Sequence, residues 1–179
     1  LTNNEKLIKK ADRLLLPGVG AFQDGMNELK KNDLSKSIIE FSKSGKPLFG
    51  ICLGMQLMMS FSTENGNHQG LNLIDGKVIR FESPKNNIDL FKVPHIGWNT
   101  LINTKDNRLF QNLDKEPFMY FLHSYYVVPK NEKIILSLTN YGKNKFCSAF
   151  QNENIFGCQF HPERSGKQGI RILENFLNL

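Results

Sequence analysis

The apolar positions follow two periods, and the change from one to the other divides the chain. Asn4 to Lys10 has the spacing of a short amphipathic helix, and Arg13 to Leu16 is a brief apolar run that reads as a strand. Asp24 to Leu29 and Leu34 to Ser42 return to the helical period, with Leu29, Leu34, Ile38 and Phe41 inward. Ser44-Gly45-Lys46-Pro47 stops that helix. Pro47 to Ile51 reads as a buried strand, and Leu53 to Met59 is rich in helix formers. Strand patterns then dominate: Leu73 to Phe81, Val93 to Asn99, one long aromatic run from Phe118 to Val128, Ile134 to Thr139, Phe146 to Gln151 and Ile155 to Phe160. Asn140-Tyr141-Gly142 and Asn152-Glu153-Asn154 are turns among them. Gly169 to Leu179 closes the chain as an amphipathic helix carrying Ile170, Ile172, Leu173, Phe176 and Leu177. This order predicts an α/β three-layer core with an antiparallel strand insertion.

The densest local pattern is Gly50-Ile51-Cys52-Leu53-Gly54, between a strand and a helix. A side chain at the tip of so sharp a turn has strained backbone geometry. Glycine two residues either side removes the Cβ atoms that would collide there. The turn presents Cys52 at a sheet edge and at a helix N-terminus, where the dipole and free N–H groups favour a thiolate. The N–H of Leu53 is then placed to donate to an oxyanion. Most unpaired cysteines are merely small buried hydrophobes, and the flanking glycines set Cys52 apart from them. A second donor fits the loop Pro17-Gly18-Val19-Gly20, which lets backbone approach a ligand closely. The same residues would serve equally well as a plain β–α turn.

A nucleophile needs a base, and Gln159-Phe160-His161-Pro162-Glu163 offers one. In an extended segment residues i and i+2 point the same way, and Pro162 favours extension. Glu163 can then bond one imidazole nitrogen of His161 and leave the other as proton acceptor. Cys52, His161 and Glu163 form a set of nucleophile, base and orienting group. The polar stretch Ser60 to Gly70 reads as a loop on the site's rim, with His68 solvated. His95 and His123 lie in strand patterns, as satisfied core or rim residues.

Composition narrows the function classes. The net charge of +6 comes from scattered lysines and arginines, so no nucleic-acid stripe is expected. No apolar run is long enough to span a bilayer, so no membrane partner is expected either. Cys52, Cys147 and Cys158 make no even disulfide set and lack metal-ligand spacing. That favours a reducing cytoplasm, with Cys147 and Cys158 as core and neither metal nor cofactor expected.

Three motifs stand in order: Leu16-Pro17-Gly18-Val19-Gly20-Ala21-Phe22, Gly50-Ile51-Cys52-Leu53-Gly54-Met55-Gln56 and Gln159-Phe160-His161-Pro162-Glu163-Arg164-Ser165-Gly166. Together they resemble the class I (triad) glutamine amidotransferases, over nearly the whole chain. Pro94-His95-Ile96-Gly97-Trp98-Asn99, Phe121-Leu122-His123-Ser124-Tyr125 and the His161 to Gly166 stretch resemble the branch of glutaminase subunits of imidazole glycerol phosphate synthase. The resemblance implies a flavodoxin-like parallel sheet flanked by helices, with antiparallel strand additions. Family members begin with a strand and helix absent here, so it also implies a single glutaminase domain over 1–179, N-terminally incomplete.

The resemblance implies roles as well. Cys52 attacks the side-chain amide of glutamine, and backbone N–H groups of Leu53 and Val19 hold the oxyanion. His161 protonates departing ammonia and activates water, and Glu163 orients His161. Gln56, Glu64 and the His123-Ser124-Tyr125 segment hold the substrate. Ammonia passes to a (β/α)8-barrel cyclase subunit in a heterodimer, with Trp98, Asn99 and Arg164 near the interface. The cyclase then makes imidazole glycerol phosphate and an aminoimidazole carboxamide ribotide in histidine biosynthesis. The stretch Asn65 to Gly70 resembles paralogues that supply ammonia to a surface-sugar amidation partner, so that alternative stays open, as does a non-catalytic scaffold. A cysteine peptidase or esterase also fits the turn at Cys52, but Gln56 and the His161-Pro162-Glu163 element fit glutaminases better.

Overall fold

The computed structural model describes residues 2–83, 91–103 and 105–179. The first helix, α1 (Glu5–Lys10), starts at Asn4, whose side-chain oxygen accepts from the N–H groups of Lys6 and Leu7. β1 (Leu14–Leu16) leads through the glycine loop into α2 (Phe22–Lys31) and α3 (Leu34–Ser42). β2 (Leu48–Ile51) is buried at every position, as expected of a strand covered on both faces. Next come α4 (Leu53–Leu57), β3 (Met59–Ser62), β4 (His68–Gln69), β5 (Ile74–Arg80), β6 (His95–Thr100) and β7 (Ile102–Asn103). β8 (Phe118–His123), β9 (Tyr125–Pro129), β10 (Ile135–Tyr141), β11 (Asn144–Asn152), β12 (Ile155–Cys158) and α5 (Gly166–Leu177) complete the chain.

The main sheet runs β1-β2-β12-β11-β10-β7. Its first three strands are mutually parallel, and the other pairings are antiparallel. Alternation along the strands divides the core. Leu48, Phe150 and Ile155 face one way and pack with Ile8, Met26, Ile38 and Leu53 of α1 to α4. Phe49, Ile51, Phe156 and Cys158 face the other way and pack with Ile172 and Phe176 of α5. This is a flavodoxin-like three-layer arrangement. A four-stranded sheet, β4-β3-β5-β9, and a two-stranded ribbon, β6-β8, are added beside it.

Four local expectations fail. The helix after Cys52 stops at Leu57 because Met59 pairs with Ile74 in a parallel ladder, and that pairing overrides propensity. Ser60 to Gly70 is no simple loop: β3 and β4 pair through Phe61 and Ser62, Ser62 is buried, and His68 is half-buried. The long aromatic run breaks at Ser124, where the chain leaves the β6-β8 ribbon and enters the β5-β9 pairing. Finally, His161 is extended but Pro162–Arg164 forms a 3₁₀ turn, closed by the Arg164 N–H on the His161 carbonyl at 3.0 Å. Pro162 at the first position of that turn costs no hydrogen bond. Among the described residues no helix is long and apolar enough to cross a membrane.

Candidate active site

Three adjacent parallel strands end at the same edge of the sheet. β1 delivers the loop Pro17 to Gly20, β2 delivers Cys52, and β12 leads to His161. The carboxyl ends of parallel strands are where such sheets bind ligands. The turn at Cys52 is strained, with φ 52° and ψ −110°. Its glycines are sterically required. A Cβ on Gly50 would lie 2.7 Å from the Met55 nitrogen, and one on Gly54 would be driven into the carbonyl oxygen of Leu16.

A cavity of about 210 Å³ opens at this edge. Val19, Gly20, Cys52, Leu53, Gln56 and His161 line it from the parallel strand ends. Glu64, Leu122, His123, Ser124 and Tyr125 close it from the added strands. Glu64 spends one carboxylate oxygen on the Phe22 N–H, at 2.8 Å. It thereby caps α2, whose own N-cap residue Ala21 makes no side-chain bond.

His161 and Glu163 meet through the turn rather than along an extended strand. The His161 Nδ1–H donates to Glu163 Oε1 at 2.8 Å. His161 is buried, and its Nε2 has no partner among the described residues. Backbone bonds fix the ring's position. The His161 N–H donates to the Tyr120 carbonyl at 2.9 Å, and the Ser165 hydroxyl accepts from the Tyr120 N–H at 2.9 Å while donating to the His161 carbonyl at 2.6 Å.

Cys52 departs from the expected thiolate. Burial pushes its thiol up to about 11, only partly opposed by the Leu53 N–H. Helix α4 has five residues, too short for its dipole to offset the loss of water around a buried Cys52, only 6% exposed. The resting group is a neutral thiol. The Leu53 N–H is engaged as well, donating to the Gly18 carbonyl at 3.3 Å.

Sequence reading missed Gln159 as a site residue. It is wholly buried beside the sulfur, with Nε2 at 3.6 Å from Cys52 Sγ and Oε1 at 3.0 Å from Gln56 Nε2. The signal was its place two residues before His161 at the end of β12. The ribbon sorts the remaining candidates. Ile96, Trp98, Phe118 and Leu122 lie on its outer face and are exposed, Trp98 by 54%. Arg164 lies over the Tyr120 ring on that face, 4.3 Å from its centroid. Asn99 sits on the opposite face, half-buried, with its amide donating to the Asn140 carbonyl at 2.9 Å.

Comparisons with known proteins agree with this geometry. The family described as glutamine amidotransferase class-I matches residues 1–179. The chain is 43% identical to the imidazole glycerol phosphate synthase subunit HisH of Syntrophotalea carbinolica, over 98% of this chain and 85% of that one. It is 47% identical to the HisH subunit of Sulfurimonas denitrificans, over 98% and 84%. Among solved structures, a glutamine amidotransferase superposes with a TM-score of 0.70 at 14% identity, covering 98% of this chain and 84% of that one. PurLQS from Thermotoga maritima superposes at 0.61 and 19% identity, over 92% and 78%. Those distant structures share the fold, and the closer sequences narrow the branch: the chain belongs to the class I glutamine amidotransferases, in the family of imidazole glycerol phosphate synthase HisH subunits.

Proposed function

We propose that residues 1–179 act as a cytoplasmic glutaminase domain that hydrolyses glutamine and passes ammonia to a (β/α)8-barrel cyclase subunit in histidine biosynthesis. The observation that carries this reading is the buried, unpartnered Nε2 of His161, in the same cavity as Cys52 and with Nδ1 held on Glu163. A thiol and an imidazole with a vacant nitrogen form a proton-transfer pair. Cys52 gives its proton to His161 Nε2 as sulfur attacks the side-chain amide carbon of glutamine. The tetrahedral intermediate collapses when His161 returns the proton to the leaving nitrogen, releasing ammonia and leaving a thioester. Water then gives a proton to His161 and attacks the thioester, and glutamate departs as the thiol re-forms. Gln56, Glu64 and the His123 to Tyr125 segment hold the substrate.

The oxyanion needs the Leu53 N–H, which the Gly18 carbonyl now occupies. The Gly18 C=O and the Val19 N–H belong to one peptide plane. Rotating that plane frees Leu53 and turns the Val19 N–H toward the site, supplying both donors in one movement. The apolar outer face of the ribbon, with Trp98 and Arg164, adjoins the cavity through Leu122 and receives the cyclase.

The test is Cys52→Ala in complex with the cyclase. Glutamine-dependent synthesis is expected to fall to background, by more than about 10³-fold, while synthesis from added ammonium salts persists. Loss of both activities would make Cys52 structural, and retained glutamine use would remove it as nucleophile.

A further inference from the structure

The neighbours of Gln159 fix the direction of its contact with Cys52. A side-chain amide can be turned either way round, so its neighbours decide. The backbone carbonyl of Tyr125 is the fixed point, because a carbonyl oxygen only accepts. Two side chains point at it: Gln56 through Nε2 at 3.0 Å and His123 through Nδ1 at 2.8 Å. Gln56 therefore presents its NH₂ group to Tyr125. The second proton of that group meets Gln159 Oε1 at 3.0 Å. With its oxygen committed to Gln56, Gln159 has only its NH₂ group to offer the sulfur, 3.6 Å away.

The same carbonyl orders a second branch. His123 carries its proton on Nδ1, so its Nε2 accepts. His95 must then donate from Nδ1 across 3.1 Å, and its Nε2 faces Asn99 Nδ2 at 3.4 Å. Both rings are neutral in this scheme, in keeping with burial, which lowers His95 to about 4 and His123 to about 3. Each branch thus runs one way, and no reversal of Gln159 alone satisfies its neighbours. Burying two glutamine amides in a core is costly unless their polar atoms are paired. Here the pairing ends on the reacting atom.

We propose that Gln159 is a catalytic residue: its amide, held by Gln56 and the Tyr125 carbonyl, donates a hydrogen bond to Cys52 Sγ that strengthens as the sulfur gives its proton to His161. This rests on the reading of Cys52 as the nucleophile. A hydrogen bond to a neutral thiol is weak, whereas one to a thiolate is charge-assisted. The contact therefore favours the ionised sulfur over the thiol, and is not merely packing. Glu163 acts through His161, whereas Gln159 touches the sulfur itself.

The experiment measures alkylation of Cys52 by iodoacetamide in the whole protein, between about pH 6.5 and 9.5, where the thiolate fraction sets the rate. Peptide mass spectrometry separates Cys52 from the buried Cys147 and Cys158. Gln159→Met and Gln159→Leu keep apolar bulk and lack the donor. Each is expected to lower the alkylation rate about tenfold or more at every pH, and to lower kcat for glutamine similarly with KM within about twofold. Thermal melting identifies the folded variants, and either one decides. Gln56→Met, which frees the Gln159 amide to turn its oxygen toward sulfur, is expected to lower alkylation in the same sense, and it decides if neither Gln159 variant folds. A folded variant whose alkylation profile matches the unsubstituted protein overturns the proposal, even where glutamine turnover is lost. Should the unsubstituted protein alkylate at Cys52 yet hydrolyse no glutamine beside the cyclase, the glutaminase reading fails, while the alkylation comparison still judges Gln159.

Discussion

Desolvation moves Cys52 and the pair His95 and His123 in opposite directions on the pH scale for one reason: in each case the charged form is the one that loses water. The thiol rises to about 11, and the imidazoles fall to about 4 and about 3. The histidines make a stability prediction with a definite sign. Above their ordinary value of 6.5 the folded and unfolded chains bind the same number of protons at these sites. As pH falls below that value, the unfolded chain takes up protons that the folded rings refuse. Stability is therefore intact at neutral pH and lost toward acid, by up to about 1.4 kcal/mol per pH unit for each histidine, until the folded rings themselves protonate. Urea midpoints measured from about pH 7.5 to 4.5 are expected to drop continuously below the histidine range. His95→Phe should flatten that decline while costing about 1 kcal/mol at neutral pH through the lost bond to His123. Midpoints that hold level to the acid end would show that the rings are not held neutral.

At the scale of elements, the turn at Cys52 depends on contact between α4 and the end of β1. Gly54 lies against the Leu16 carbonyl, so Gly54→Ala cannot be absorbed by a side-chain rotation. The strand end or the helix must shift instead. A loss of at least about 3 kcal/mol in denaturant unfolding is expected, together with loss of glutamine turnover in whatever folds. Gly20 has no atom within 4 Å of its Cβ position but has φ 106°, so Gly20→Ala strains the loop without a clash and should cost far less. This contrast shows what the sequence could convey. The Gly50-x-Cys52-x-Gly54 pattern was legible because strain and steric exclusion leave few residue choices. The α/β order, α1 to α3 and the parallel strand runs were legible because their periods match their burial. The short α4, β3 and the break at Ser124 were not, because ladder partners distant in sequence set them. Gln159 escaped notice because an amide in a strand run has no pattern of its own. Its proposed role emerges only in space, where Gln56, anchored on the Tyr125 carbonyl, and Cys52 converge on it.

At the scale of the molecule, the ribbon links an exposed surface to the candidate site. Its outer face carries Ile96, Trp98, Phe118 and Leu122, all exposed, together with Tyr120 beneath Arg164. Its inner face carries His95, Met119, Phe121 and His123, all buried. The same strand β8 holds His161 directly through the Tyr120 carbonyl and indirectly through the Tyr120 N–H, which donates to the Ser165 hydroxyl that bonds the His161 carbonyl, and it places Leu122 and His123 in the cavity wall. Under the proposed function this clustered apolar exposure is the face that receives the cyclase, and a large central aromatic is the side chain expected to dominate its affinity. Trp98 pairs directly with Tyr120 across the ribbon, 6.1 Å between ring centroids, so it stands over the strand that bonds the His161 backbone. Trp98→Ala is therefore expected to weaken the complex with the cyclase by about 2 kcal/mol, close to thirtyfold in Kd, with little change in melting temperature because the side chain is half in solvent. Titration calorimetry or sedimentation against the cyclase reads this directly. An unaltered Kd would move the docking surface off the ribbon and leave its apolar face to be matched by another partner.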